Sequence, residues 1–96
     1  EPRLPKQGIV HAGPNPFNPR VEIGILVAES GTARLEVFDV RGRRVRELSL
    51  DATAGQTCTV VWDGTDDGGQ RLASGVYHVR LVAGSVVDQV RVLLLK

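Results

Sequence analysis

Apolar residues in this chain recur at every second position. Val21, Ile23, Ile25 and Val27 alternate with Glu22 and Gly24, and Ala33, Leu35 and Val37 with Arg34 and Glu36. Cys58, Val60 and Trp62 are interleaved with Thr57, Thr59 and Val61, and Tyr77, Val79, Leu81 and Ala83 with His78 and Arg80. A two-residue period sends successive side chains to opposite faces of a strand, so each series predicts a strand with one buried face. A short strand over Gly8 to Ala12 precedes them. Val90, Val92 and Leu94 form the inner row of the last, with Leu93 and Leu95 on its other face. The stretch Arg44 to Leu50 alternates poorly, because Val45 and Leu48 can both point inward only across a β-bulge. No window carries a 3.6-residue apolar period, so no helix is expected.

Turn formers separate these segments. Glu29-Ser30-Gly31, Asp51 to Gly55, Asp63 to Gly69 and Gly84-Ser85 are connections, and Gly42 within Asp39 to Arg43 sits where a hairpin needs positive φ. Pro14, Pro16 and Pro19 push their predecessors toward extended geometry, so residues 14–19 read as a stiff irregular crossing. Residues 1–7, with two prolines, read as a linker from an upstream domain, and residues 8–96 as one domain. One-faced sheets must cover each other. The pattern therefore predicts an all-β fold, an immunoglobulin-like (fibronectin III-like) antiparallel β-sandwich of about seven strands. Its core is expected to hold Ile23, Leu35, Val37, Val60, Trp62, Tyr77, Val79 and Val92.

Composition narrows the function. Aromatics are 4% of 96 residues, so the core must be mainly Val, Leu and Ile. A net charge of +1 makes no case for nucleic acid, and no apolar run is long enough to span a membrane. The single Cys58 cannot form an internal disulfide, so the fold must stand on packing. The absence of any Met suggests a piece of a longer polypeptide, and Lys96, just after the last strand, fits a natural C-terminus.

Candidate chemistry is sparse. Asp63, Asp66 and Asp67 offer oxygen ligands to calcium, but their spacing is not that of a calcium loop, and Asp63 and Asp67 are expected to cap backbone N–H groups instead. Cys58 with His11 or His78 suggests a nucleophile and base. Cys58 belongs to an inner row and His78 to an outward one, which places them on opposite sides of a sheet and makes Cys58 a structural thiol. Ser74 and Ser85 lack a nucleophile-elbow context. Trp62 and Tyr77 share rows with aliphatics and so read as core anchors rather than a sugar platform. No enzyme activity, metal or cofactor is expected. Two binding surfaces remain. Arg41, Arg43, Arg44 and Arg46 cluster around one hairpin, either as an anion site or as a solvated tip. The last strand is apolar on both faces, so Arg91, Leu93, Leu95 and Lys96 either offer an edge for strand addition or lie under the proline-rich crossing.

An ordered set of motifs carries a resemblance: Pro14-Asn15-Pro16-Phe17-Asn18-Pro19, Leu35 to Arg43, Val45-Arg46, Trp62-Asp63-Gly64, Gly69, Ala73-Ser74-Gly75-Val76-Tyr77, and Arg91 to Lys96. Over residues 13–96 the chain resembles the C-terminal sorting domains of proteins exported by type IX secretion, and equally the immunoglobulin-like domain of the flagellar hook-capping protein. The resemblance implies a non-catalytic sorting and anchoring module joined to an upstream cargo domain. Outer-membrane secretion machinery would read it, and the cargo would reach the cell surface or exterior through the periplasm. The alternatives are a structural module for appendage assembly or domain spacing, and a carbohydrate-binding accessory domain.

Overall fold

The computed structural model describes residues 7–95. The linker expected over residues 1–7 lies outside them except for Gln7, as does Lys96. Seven strands follow one another: β1 (Gly8–Gly13), β2 (Val21–Leu26), β3 (Gly31–Phe38), β4 (Arg44–Ala52), β5 (Cys58–Trp62), β6 (Gly75–Ala83) and β7 (Val86–Leu94). All pair antiparallel, in a three-stranded sheet of order β1-β2-β5 and a four-stranded sheet of order β4-β3-β6-β7. This is the expected β-sandwich. Two strands run longer than the alternation indicated: Asp51 and Ala52 extend β4, and Val86 to Gln89 extend β7, since backbone pairing with β3 and β6 persists past the last clear inner residue.

The inner rows meet as their period requires. Ile23, Leu35, Val37, Trp62, Val79 and Val92 are almost completely buried, with Tyr77 nearly so. Val60 is the exception among the expected core residues. It is only half-buried, because β5 is an edge strand and its inner row is covered from one side only. The expected bulge is present. Phe38 pairs with Arg44 and Val37 with Arg46, which leaves Val45 as the extra residue and turns both Val45 and Leu48 toward the core.

Three aromatic rings pack together in the core near the end where Phe17 meets β7. The Phe17 and Trp62 centroids are 5.3 Å apart and tilted, and Trp62 meets Tyr77 edge-on at 5.5 Å. Each buried polar handle finds a partner: Trp62 Nε1 donates to the Thr65 carbonyl at 2.9 Å, and Tyr77 Oη to the Ala73 carbonyl at 2.6 Å. The Tyr77 bond, four residues back from near the start of its strand, is the corner that braces many immunoglobulin-like sandwiches. Burial pushes the Tyr77 hydroxyl pKa up, and the nearby Asp39 charge adds to it.

The body measures 44 × 23 × 20 Å. The chain enters at Gly8, paired with Leu26 at one end of the sandwich. β1 finishes at the other end, where Phe17 bridges Leu94 at the close of β7.

Candidate functional site

The proline-rich crossing determines what the last strand can do. Phe17 N–H donates to the Leu93 carbonyl (2.9 Å) and Leu95 N–H to the Phe17 carbonyl (3.0 Å). The Asn15 side-chain oxygen accepts from Leu93 N–H (2.9 Å), while its amide nitrogen donates to the Arg91 carbonyl. The crossing therefore occupies the outer edge of β7 over Arg91 to Leu95. Strand addition over Leu93 to Leu95 is not open to a partner, because the Leu93 N–H and carbonyl and the Leu95 N–H already have partners within the chain. Leu93 is half-buried, and Leu95 remains exposed.

The arginines of the β3–β4 hairpin divide. Asp39 Oδ1 accepts from the backbone N–H of Arg41 and Arg43, and Gly42 closes the turn at φ 83°. Those backbone bonds, that of Arg43 first, hold the Asp39 carboxyl below its usual range. Arg43 pairs with Asp39, and Arg41 is exposed at the tip. Arg44 and Arg46 do not join them. The bulge at Val45 turns Arg46 toward the connection after β5, where its guanidinium donates to Thr65 Oγ1 (3.0 Å) and the Asp66 carbonyl (2.9 Å). Arg44 turns to the outer face of the four-stranded sheet. The sequence cluster of four is thus a tip of two and two separately engaged side chains.

The Asp63 to Gly69 connection caps itself, with one change from expectation. Asp63 accepts from Thr65 and Asp66 from the Gly68 and Gln70 N–H groups, both at 2.9 Å. Asp67 does not cap this turn. Its carboxylate accepts from Glu47 N–H (2.9 Å), and its own N–H donates to the Val45 carbonyl (3.0 Å). These bonds dock the connection on the free edge of β4. The Thr65 hydroxyl, above all, lowers the Asp63 pKa. The three carboxylates point to different donors, and no metal-holding group of His, Cys, Asp and Glu occurs among the described residues.

The Cys58–His78 geometry also needs correction. The two residues lie in different sheets, not on two sides of one, because β5 joins β2 while β6 joins β3. Cys58 packs against the core, and its sulfur accepts from Thr53 N–H. His78 approaches Gln89 at 3.4 Å on the opposite outer face, and His11 is exposed on β1. Trp62 and Tyr77 are buried and present no platform. A cavity of about 270 Å³ opens at the entry end between the β2–β3 and β6–β7 turns, with Glu29 its one ionisable lining side chain.

The most organised polar constellation was not singled out by the sequence. Register places Arg44, Phe38, His78 and Arg91 in one row across the outer face of the four-stranded sheet, and Glu47, Glu36, Arg80 and Gln89 in the next. Glu36, only 6% exposed, is the one buried charged residue among those described. Arg80 approaches one of its oxygens at 2.8 and 3.2 Å; Arg44 (3.2 Å) and Arg34 (3.9 Å) approach the other. The Arg80 hydrogen bond, opposed by desolvation and reinforced by Arg44, keeps the Glu36 carboxyl below its ordinary 4.5. The Arg80 guanidinium also lies 5.0 Å over the Phe38 ring. Glu36 and Arg80 are 44 positions apart, so only the strand register reveals the pair.

The model of the FlgD Ig-like domain matches residues 20–86. Among solved structures, the fold is similar to that of dimeric latent PorU from Porphyromonas gingivalis, with a TM-score of 0.72 and 18% identity over 91% of this chain and 9% of that one. It is similar to FlgD from Xanthomonas campestris, a protein of the hook capping essential for flagellar assembly (TM-score 0.66, 24% identity, 85% of this chain and 59% of that one). It is also similar to PorZ, an essential surface component of the type IX secretion system of P. gingivalis (TM-score 0.65, 25% identity, 93% of this chain and 12% of that one). The chain thus spans less than two thirds of each of these proteins. No curated protein matches it.

Proposed function

Because this chain belongs to the FlgD Ig-like domain family, whose domain is a non-catalytic structural unit, we propose that it serves as a sorting and anchoring module within a larger exported protein. It acts by binding alone. Outer-membrane secretion machinery of the type IX kind reads it, and its cargo is delivered through the periplasm to the cell surface or exterior. The observation that carries this reading is the locked β7 edge. Phe17 and Asn15 hold Arg91 to Leu95 rigid at the end of the body opposite the entry at Gly8. A cargo domain joined before Gly8 would leave this end free to be read. The similarity to PorZ supports the same system.

The test is a reporter fused ahead of residues 1–96 and expressed, behind a signal peptide, in a bacterium with type IX secretion. Reporter at the cell surface, lost when the secretion machinery is deleted, is the expected result. A folded fusion retained in the periplasm of the intact strain overturns the reading. A second reading, a spacing or assembly module of hook-cap type, is favoured by the match to the FlgD model, and periplasmic retention with normal assembly of a surface appendage would select it.

A further inference from the structure

Glu36 does more than neutralise a neighbour. A buried carboxylate hydrogen-bonds the Arg44 and Arg80 guanidiniums, and Arg34 stands beside them at 3.9 Å, nearer to Glu47 at 3.5 Å. All three are nearly half exposed, with side-chain exposures of 48% for Arg34, 47% for Arg44 and 44% for Arg80. Each guanidinium carries five N–H donors, so the Glu36 bonds leave donors facing solvent in a set orientation. Arg91 stands in the adjacent row, exposed and with no ion-pair partner among the described residues. With the neighbouring row of Arg34, Ser49, Val82 and Val87 included, four arginines (Arg34, Arg44, Arg80 and Arg91) face Glu36 and Glu47, an excess of 4 − 2 = +2 where the whole chain carries +1. The next carboxylate on this face, Asp51, is two rows further along β4.

From this we infer that the outer face of the four-stranded sheet is a docking surface for an acidic protein segment, whose carboxylates are held by Arg44, Arg80 and Arg91. The inference rests on the recognition-module reading and names the face that the partner contacts. Charge complementarity selects the sign of the partner. Its class follows from the rest of the face. The cations are all arginine, the residue enriched at protein interfaces where lysine is depleted. An exposed apolar side chain, Val87 at 65%, flanks them. The Phe38 ring lies under Arg80, which covers the face that a sugar would stack on. Preorganisation of Arg44 and Arg80 by Glu36 lowers the ordering cost that these two long side chains would otherwise incur on binding.

The experiment is an amide NMR titration of the full chain with a short polyglutamate peptide, with polygalacturonate as the competing polymer. Saturable shifts at Arg44, His78, Arg80 and Arg91 are expected, with affinity weakened about tenfold or more in Arg91→Glu. The paired tip change Arg41→Ser with Arg43→Ser should keep wild-type affinity. Arg91 makes no side-chain ion pair, so its replacement should leave the fold intact, and the amide spectrum of the free variant checks this. Shifts centred on the hairpin tip, no saturable binding, or tighter binding of polygalacturonate would overturn the inference. Peptide binding at this face together with failed reporter export would leave the docking surface standing and remove the secretion reading.

Discussion

On one outer face of the sandwich, arginines from all four strands gather around a buried glutamate. On the other, the central cross-strand row is His11, Gly24 and Thr59, and the next is Gly13, Glu22 and Val61. The two sheets share one core, yet their exteriors are finished differently. On the three-stranded face the side chains close over Gly24 at its middle. A Cβ at Gly24 would lie 3.3 Å from Thr57 Cγ2 and 3.4 Å from His11 Cβ, so its neighbours already fold over the backbone. The four-stranded face stays polar and open, its long side chains held in place by ion pairs. The three-stranded face thus presents scattered side chains such as Val61 and Glu22, and only the four-stranded face presents a cluster of like charges held by a buried carboxylate.

Mutations can break or sharpen this contrast. The largest effect should be common to both faces. Trp62→Ala empties part of the shared core and should cost about 3–5 kcal/mol in chemical denaturation, with hydrogen-exchange protection falling in both sheets together. Loss confined to one sheet would mean that the faces do not share a core. Arg46→Ala should come next, at about 1–2 kcal/mol, because two hydrogen bonds tie the connection leaving β5 to the edge of β4. Its mark would be faster amide exchange at Glu47 and Asp67.

Glu36→Gln should be milder at neutral pH, about 1 kcal/mol, since water screens the half-exposed arginines. Its signature is pH dependence. The folded-state pKa of Glu36 lies below 4.5, so the stabilisation is complete above 4.5 and is lost as pH falls through the folded value. Urea curves of wild type and variant should therefore converge in acid; a gap that widened on acidification would contradict the assignment. Smallest of all, Gly24→Ala on the quiet face should cost under about 1 kcal/mol, with Thr57 and His11 giving way by a few tenths of an ångström.

How much of this was legible beforehand depends on sequence distance. The inner rows at Ile23, Leu35 and Tyr77 followed from a period of two, and the bulge at Val45 from its breakdown. Cover for β7 by the proline segment was one of two alternatives. Choosing between them required knowing that Asn15 and Phe17 reach Leu93, across more than 70 residues. The hairpin arginines misled because adjacency along a strand was taken as adjacency in space, whereas the bulge sends Arg44 and Arg46 to different partners. Glu36 looked like an ordinary outward glutamate, since its burial comes from Arg80 in another strand. Asp67 looked like a turn cap because its true partner, Glu47 N–H, lies 20 residues away.

The contrast between the faces is tested most directly by surface delivery of a reporter joined to two charge-altered forms of this domain. One carries Arg91→Glu on the four-stranded face and the other Val61→Glu on the three-stranded face, each with a native-like amide spectrum. Delivery should collapse for Arg91→Glu and persist for Val61→Glu. Equal delivery of both forms, or loss only with Val61→Glu, would contradict the account.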